Sequence, residues 1–194
     1  HNGGYFLSIE LKSEDRYILE KLATELKCGN KIYDRHRITN VGEGYMSNFS
    51  SCNSKQLFDD LAKFNIIPDK SHTTDSFKNI LELVDFNLIK HFLRGIIDGD
   101  GSISNRVSCG RQHAVAVYQN SLQFCKDFDS LLKLCMNRND LKDDIKVNKR
   151  TGVYHLRYRR INDVKQILAF LYSDATVYLK RKYKRAQLYF NDLK

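Results

Sequence analysis

The chain repeats itself, and that repeat limits its possible folds more than any other feature. An alternating stretch from Tyr5 to Lys12 leads into a segment with Ile18, Leu19, Leu22 and Leu26 at helical spacing. The order returns at Ala114–Gln119, which leads into a segment with Phe124, Phe128, Leu131, Leu132 and Cys135 on one helical face. After each comes a basic alternating segment, then a second strand (Tyr45–Ser51 and Val153–Arg160), then another helix. Tyr45 to Tyr154 and Asn53 to Asn162 share one offset of 109 residues, and Asn at both helix starts is a sensible N-cap. Each unit reads as strand–strand–helix repeated, with antiparallel strand pairs. Only the second unit has a further helix in front, from about Phe86 to Asp98. Proline occurs once, at Pro68, and no Gly/Ser-rich linker exists, so one compact body is expected.

At 194 residues and 42% hydrophobic, the chain can bury one large core or two small ones. No apolar run approaches the ~20 residues of a membrane span, and no charged-then-apolar leader opens it, so a soluble, intracellular protein is expected. Lys plus Arg outnumber Asp plus Glu by 32 to 23, for a net charge of +9 and a pI near 9.3. Nucleic acid, an anionic membrane surface and an acidic protein all fit that excess. The charge is concentrated in the last third, from Lys142 to Arg185. The five cysteines are odd in number and form no C-x-x-C pair, which argues against a zinc site or a disulfide framework.

The helix before the second repeat ends in Leu93-Arg94-Gly95-Ile96-Ile97-Asp98-Gly99-Asp100-Gly101-Ser102-Ile103. Gly95 and Gly99 lie four apart and share a face, where another backbone could come close. Gly99 and Gly101 are expected to stop the helix through the left-handed conformation. Asp98 and Asp100 sit at the negative end of the helix dipole, where ionisation is disfavoured by ~0.3–1 kcal/mol each unless a cation is present. A metal site and a plain Asp-Gly turn both fit this stretch. An EF-hand does not, because alignment on Gly101 puts Ile96 and Val107 where acidic ligands belong.

Leu93 to Gly101 resembles the signature helix of the LAGLIDADG homing endonucleases, matching at Leu93, Gly95, Ile97, Asp98, Asp100 and Gly101. Arg94, Ile96 and Gly99 replace the usual alanine, leucine and second alanine. The element order after it also matches the family repeat. The resemblance implies an α/β fold of two pseudo-symmetric αββαββα repeats with antiparallel DNA-binding saddle sheets. The repeats would be 1–85 and 86–194, the first lacking its opening helix and strand. It further implies Asp100 as metal ligand with the Gly101 carbonyl nearby, Asp98 as support for the helix end, and Mg²⁺ as cofactor. Lys182, in Leu179-Lys180-Arg181-Lys182, resembles a lysine placed after the last helix of each repeat, with Lys70 as its first-half counterpart. Such a lysine could polarise the attacking water or contact phosphate. Gln119 resembles a water-organising position whose first-half equivalent reads as Leu11. The missing signature helix would come from upstream sequence or another chain.

Strand alternation then separates surface from core. Ser8, Glu10 and Lys12, Lys31, Tyr33, Arg35 and Arg37, and Asn48 face outward in the first repeat. Ser102, Ser104 and Arg106, Lys146, Asn148 and Arg150, and His155, Arg157 and Arg159 do so in the second. Such ribbons fit the major groove of double-stranded DNA. The implied function is site-specific, metal-dependent hydrolysis of both DNA strands. The alternative is a non-cleaving DNA- or RNA-binding protein on the same scaffold, such as an intron maturase or a regulator.

Overall fold

The computed structural model describes residues 4–28, 32–39, 42–51, 53–64, 66–67, 80–104 and 113–190. Where the lone proline suggests one body, the chain divides into two compact units, His1–Lys63 and Phe64–Lys194. The physical reason is that each builds a hydrophobic core of its own.

The first unit runs β1 (Ser8–Lys12), α1 (Arg16–Glu25), β2 (Ile32–Thr39), β3 (Gly42–Ser50) and α2 (Lys55–Lys63). Its strands form an antiparallel sheet ordered β1-β3-β2. Because alternate side chains point to opposite faces, Ile9, Leu11, Ile32 and Phe49 meet Leu19 and Ala23 of α1. Ser54 Oγ accepts from Leu57 N (3.1 Å), so it, and not Asn53, caps α2. Asn53 instead accepts from the Tyr5 amide at 2.7 Å and ties down the approach to β1.

The second unit opens with α3 (Ile80–Leu83) and α4 (Phe86–Asp100). It continues through β4 (Gly101–Ser104), β5 (Ala114–Gln119), α5 (Leu122–Met136), β6 (Asp143–Val147) and β7 (Tyr154–Tyr158), then closes with α6 (Ile161–Tyr172) and α7 (Lys180–Phe190). The antiparallel sheet is ordered β4-β5-β7-β6. Setting β4 aside leaves β5-β7-β6, the same order as β1-β3-β2, so the repeat seen in the residues is also a repeat of topology. Ile89, Leu93 and Ile97 of α4 pack with Val115, Val117, Leu156 and Tyr158 of the sheet and with Phe128 and Leu168 of the other helices.

Several local expectations are corrected. Asn162 lies inside α6, whose N-cap is Arg160 and has no side-chain cap bond. β6 stops at Val147, because Asn148–Gly152 forms a turn closed by Gly152 N donating to Asn148 O (2.8 Å), with Gly152 at φ +71°. α4 extends to Asp100, and no described glycine in it has positive φ. Gly101 is extended (φ −90°, ψ 174°), and its lack of a side chain serves space: a Cβ there would lie 2.6 Å from Ile97 O.

The strand β4 lies at the sheet edge, where its outward carbonyls need partners. Helix α7 supplies them from residues three and four apart. Lys182 Nζ donates to Gly101 O, Arg185 Nη1 to Ile103 O (3.1 Å) and Tyr189 OH to Ser104 O. Among the described residues no helix is long and apolar enough to cross a membrane.

Candidate metal and nucleic-acid site

Helix α4 presents four kinds of side chain in its last two turns. Leu93 and Ile97 go to the core. Arg94, also buried, donates from Nε to Val177 O (3.0 Å) and from Nη1 to Leu171 O (3.1 Å), fixing α4 to the end of α6 and the segment beyond it. Asp98 accepts from Tyr172 OH at 2.7 Å and from the Leu179 amide at 3.1 Å. Burial raises its carboxyl pKa, opposed by the bonds from Tyr172 and Leu179 and by the charges of Lys182 and Arg94. Burial also holds the Tyr172 hydroxyl protonated, with the Asp98 charge adding to the effect, so it remains a donor.

Asp100 is exposed at the helix end, and one oxygen accepts from Gln119 Nε2 at 3.0 Å. Gln119 ends β5 on the same side as Val115 and Val117, so the strand delivers its amide to the helix terminus. Lys182 is only 3% exposed, and its ammonium donates to Ile97 O (3.2 Å) and Gly101 O. It thereby places a positive charge at the negative end of the helix dipole. Burial lowers its pKa to about 8, helped by Arg181 and Arg185 and opposed by Asp98 and Asp100.

Asp100 and Gly101 offer hard oxygen donors of the type that Mg²⁺ or Ca²⁺ takes. They fit part of such an ion's shell. Among the described residues no group of three His, Cys, Asp or Glu converges. The remaining ligands would be water, phosphate or an acid from elsewhere.

On the first sheet, Ser8, Glu10, Lys12, Tyr33, Arg35 and Arg37 share the face opposite α1. Asn48 belongs to that face but is 6% exposed, with Ser8 Oγ donating to its Oδ1 (3.3 Å). On the second sheet, Ser102, Ser104, Lys146, His155 and Arg157 share a face. Arg157 Nη2 lies 2.9 Å from His155 Nδ1, and its guanidinium stands 6.0 Å from the Tyr118 ring centroid. Burial and the Arg157 charge lower the His155 pKa. Asn148 and Arg150 sit in the β6–β7 turn, and Arg159 follows β7, 3.7 Å from Asp144. Lys31, Lys70 and Arg106 lie outside the described residues.

The equivalence of Gln119 with Leu11 is corrected by the pairing registers. Gln119 pairs with Tyr154, and Lys12 pairs with Met46. At the shared offset, Ser13 is therefore the counterpart of Gln119, just past the end of β1. The Ser13 hydroxyl is buried and has no hydrogen-bond partner among the described residues. Sequence reasoning missed Arg94, Tyr172 and Arg185, whose backbone or carboxylate partners are 74 to 83 residues away along the chain. The basic spacing of α7 was the available signal for Arg185.

No curated protein matches the chain by sequence. Solved structures do match it in fold. The N-terminal LAGLIDADG domain of DUF199/WhiA is 14% identical, with a TM-score of 0.53 over 95% of this chain and 78% of that one. Mesophilic variants of the homing endonuclease I-DmoI are 17% identical, with a TM-score of 0.53 over 90% and 81%. I-SmaMI bound to uncleaved DNA with calcium ions is 14% identical, with a TM-score of 0.55 over 97% and 80%. At these identities the likeness establishes the fold. A family model described as a LAGLIDADG-like domain matches residues 87–173, which span α4 through α6. Over that segment, 87 of the 194 residues, the chain is similar to the LAGLIDADG family.

Proposed function

We propose that this chain is a DNA endonuclease of the homing type, cleaving both strands of a long site by metal-dependent phosphodiester hydrolysis. The observation that carries the reading is the constellation at the end of α4. An exposed Asp100, braced by Gln119, stands beside the Gly101 carbonyl and the buried Lys182 ammonium. A divalent cation held by Asp100 and Gly101 would activate a water and neutralise charge developing on the phosphate. Gln119 fixes the Asp100 carboxylate and can orient water with its remaining donor. Lys182 holds the Gly101 carbonyl in place, and its charge favours an anion at the helix end.

One such helix supplies one carboxylate. Gly95 and Gly99 present open space, with nothing described within 4 Å of a Cβ at either. We assign that face to a second helix carrying its own acid, from preceding sequence or another chain. Arg35, Arg37, Lys146 and Arg157 would contact the duplex, and phosphate contacts from the wider basic surface would dominate affinity.

A non-cleaving nucleic-acid-binding protein on the same scaffold is the second reading, favoured by the single carboxylate among the described residues that meets these conditions. The discriminating experiment incubates the chain, together with its upstream sequence, with the genomic DNA flanking its gene. Cleavage in Mg²⁺ with binding in Ca²⁺ supports the endonuclease. Binding in both ions without a nick supports the alternative.

A further inference from the structure

The outward face of the first sheet is basic, yet its edge strand β1 carries one acid there. Glu10, on the edge strand β1, pairs with Asn48 of the central strand, which pairs in turn with Tyr33 of β2. Both its oxygens are taken. Arg35 donates to Oε2 from Nε (2.7 Å) and from Nη2, and Arg37 Nη1 donates to Oε1. The Glu10 side chain is 15% exposed, whereas Arg35 and Arg37 are 49% and 51% exposed. Burial pushes this carboxyl up, but the bonds and charges of the two arginines outweigh it and keep it ionised. Among the described residues no other acid pairs with either guanidinium.

Two exposed arginines on adjacent positions of one strand face would ordinarily be mobile, and their charges would suit any phosphate. Here one carboxylate draws both into a fixed fork and halves the positive charge that the two arginines carry. A phosphate would have to compete with a partner already in place. A base edge need not, because guanine presents two acceptors to whichever N–H groups remain. The arrangement thus trades general anion affinity for geometric selection. Resting on the reading of this chain as a DNA-binding protein, we infer that Glu10 is a specificity-determining positioning residue, which holds Arg35 and Arg37 to read guanine in the major groove and withholds them from the backbone.

The test uses the full chain and a pool of DNA duplexes with a randomised core, bound in Ca²⁺, selected and sequenced. Wild type and Glu10→Gln are compared, with Arg35→Lys as a variant that keeps the charge but loses the fork. Thermal melting confirms that each is folded. Wild type should enrich guanine at one or two adjacent positions by roughly tenfold. Glu10→Gln should lose that enrichment, keep the rest of the selected motif, and bind the unselected pool more tightly. Its log–log salt dependence should steepen by about 0.9 for each arginine released to phosphate. Arg35→Lys should lose the same guanine preference without the steeper salt dependence. Equal enrichment in wild type and Glu10→Gln would overturn the inference while leaving DNA binding intact. Failure of wild type to bind any duplex would instead overturn the DNA reading, and this inference with it.

Discussion

Asp98 and Asp100 are two residues apart on one helix, yet packing gives them opposite surroundings. Asp98 is buried against Tyr172 and the Leu179 amide, and Asp100 faces solvent with a single amide beside it. Asp100→Asn should therefore reduce cleavage to background while leaving calcium-supported DNA binding equal or tighter, since a negative charge facing phosphate is lost. Asp98→Asn should instead cost about 1–3 kcal/mol of stability, read as a shift in the urea midpoint, because a buried donor loses its acceptor. If Asp98→Asn alone abolished cleavage in a protein of unchanged stability, these assignments would be exchanged. Both acids were legible in the residues, because the motif places them at a helix end. Arg94 was not. It stands where the family has alanine, and its carbonyl partners, Leu171 and Val177, become neighbours only once the helices have packed. The Ser13 position was hidden for another reason. Alternation shows which face a strand residue takes, whereas matching positions between repeats requires the pairing register with a third strand.

At the scale of elements, the glycines of α4 make separable claims. Gly101→Ala would put a Cβ 2.6 Å from Ile97 O, against backbone that cannot move without unwinding the last turn. It should destabilise the protein by at least ~1–3 kcal/mol, as overpacking does. Gly95→Ala and Gly99→Ala meet open space inside a helix, so each should stabilise the free chain by about 0.5–1 kcal/mol. Thermal melts of the three variants check this, and a tolerated Gly101→Ala would contradict the crowding seen at the helix end. The strands and the long helices were legible from periodicity, because α4, α5 and α6 bury one face each and the sheets alternate. Their ends were less so. The α2 cap moved from Asn53 to Ser54 because Asn53 is engaged by Tyr5. β6 ended early because Asn148 bends the chain through its own side chain, accepting from the Arg150 amide at 3.0 Å.

Over the whole molecule, proton uptake should shape stability on the acid side. Burial lowers the His91 pKa, with Arg94 and Lys90 adding to the effect, and His155 is lowered by burial and Arg157. As pH falls through 6.5, the unfolded chain takes up these protons before the folded one does, so stability should fall with pH in that window. Asp98, whose pKa is raised, works in the opposite direction at lower pH, where the folded form binds its proton first. Urea midpoints for wild type and the His91→Gln, His155→Gln double variant, compared at pH 7.5 and 5.5, should differ less in the variant. An equal loss in both would assign the acid sensitivity to other groups. The sequence-level expectation of a single body failed here because a lone proline says nothing about where apolar contacts gather. Chain order adds one more consequence. The edge of β4 is sheathed by side chains of α7, whose partners lie more than 80 residues earlier. During synthesis that edge emerges well before its cover, leaving a strand able to pair with a neighbouring nascent chain until the ribosome has delivered Tyr189.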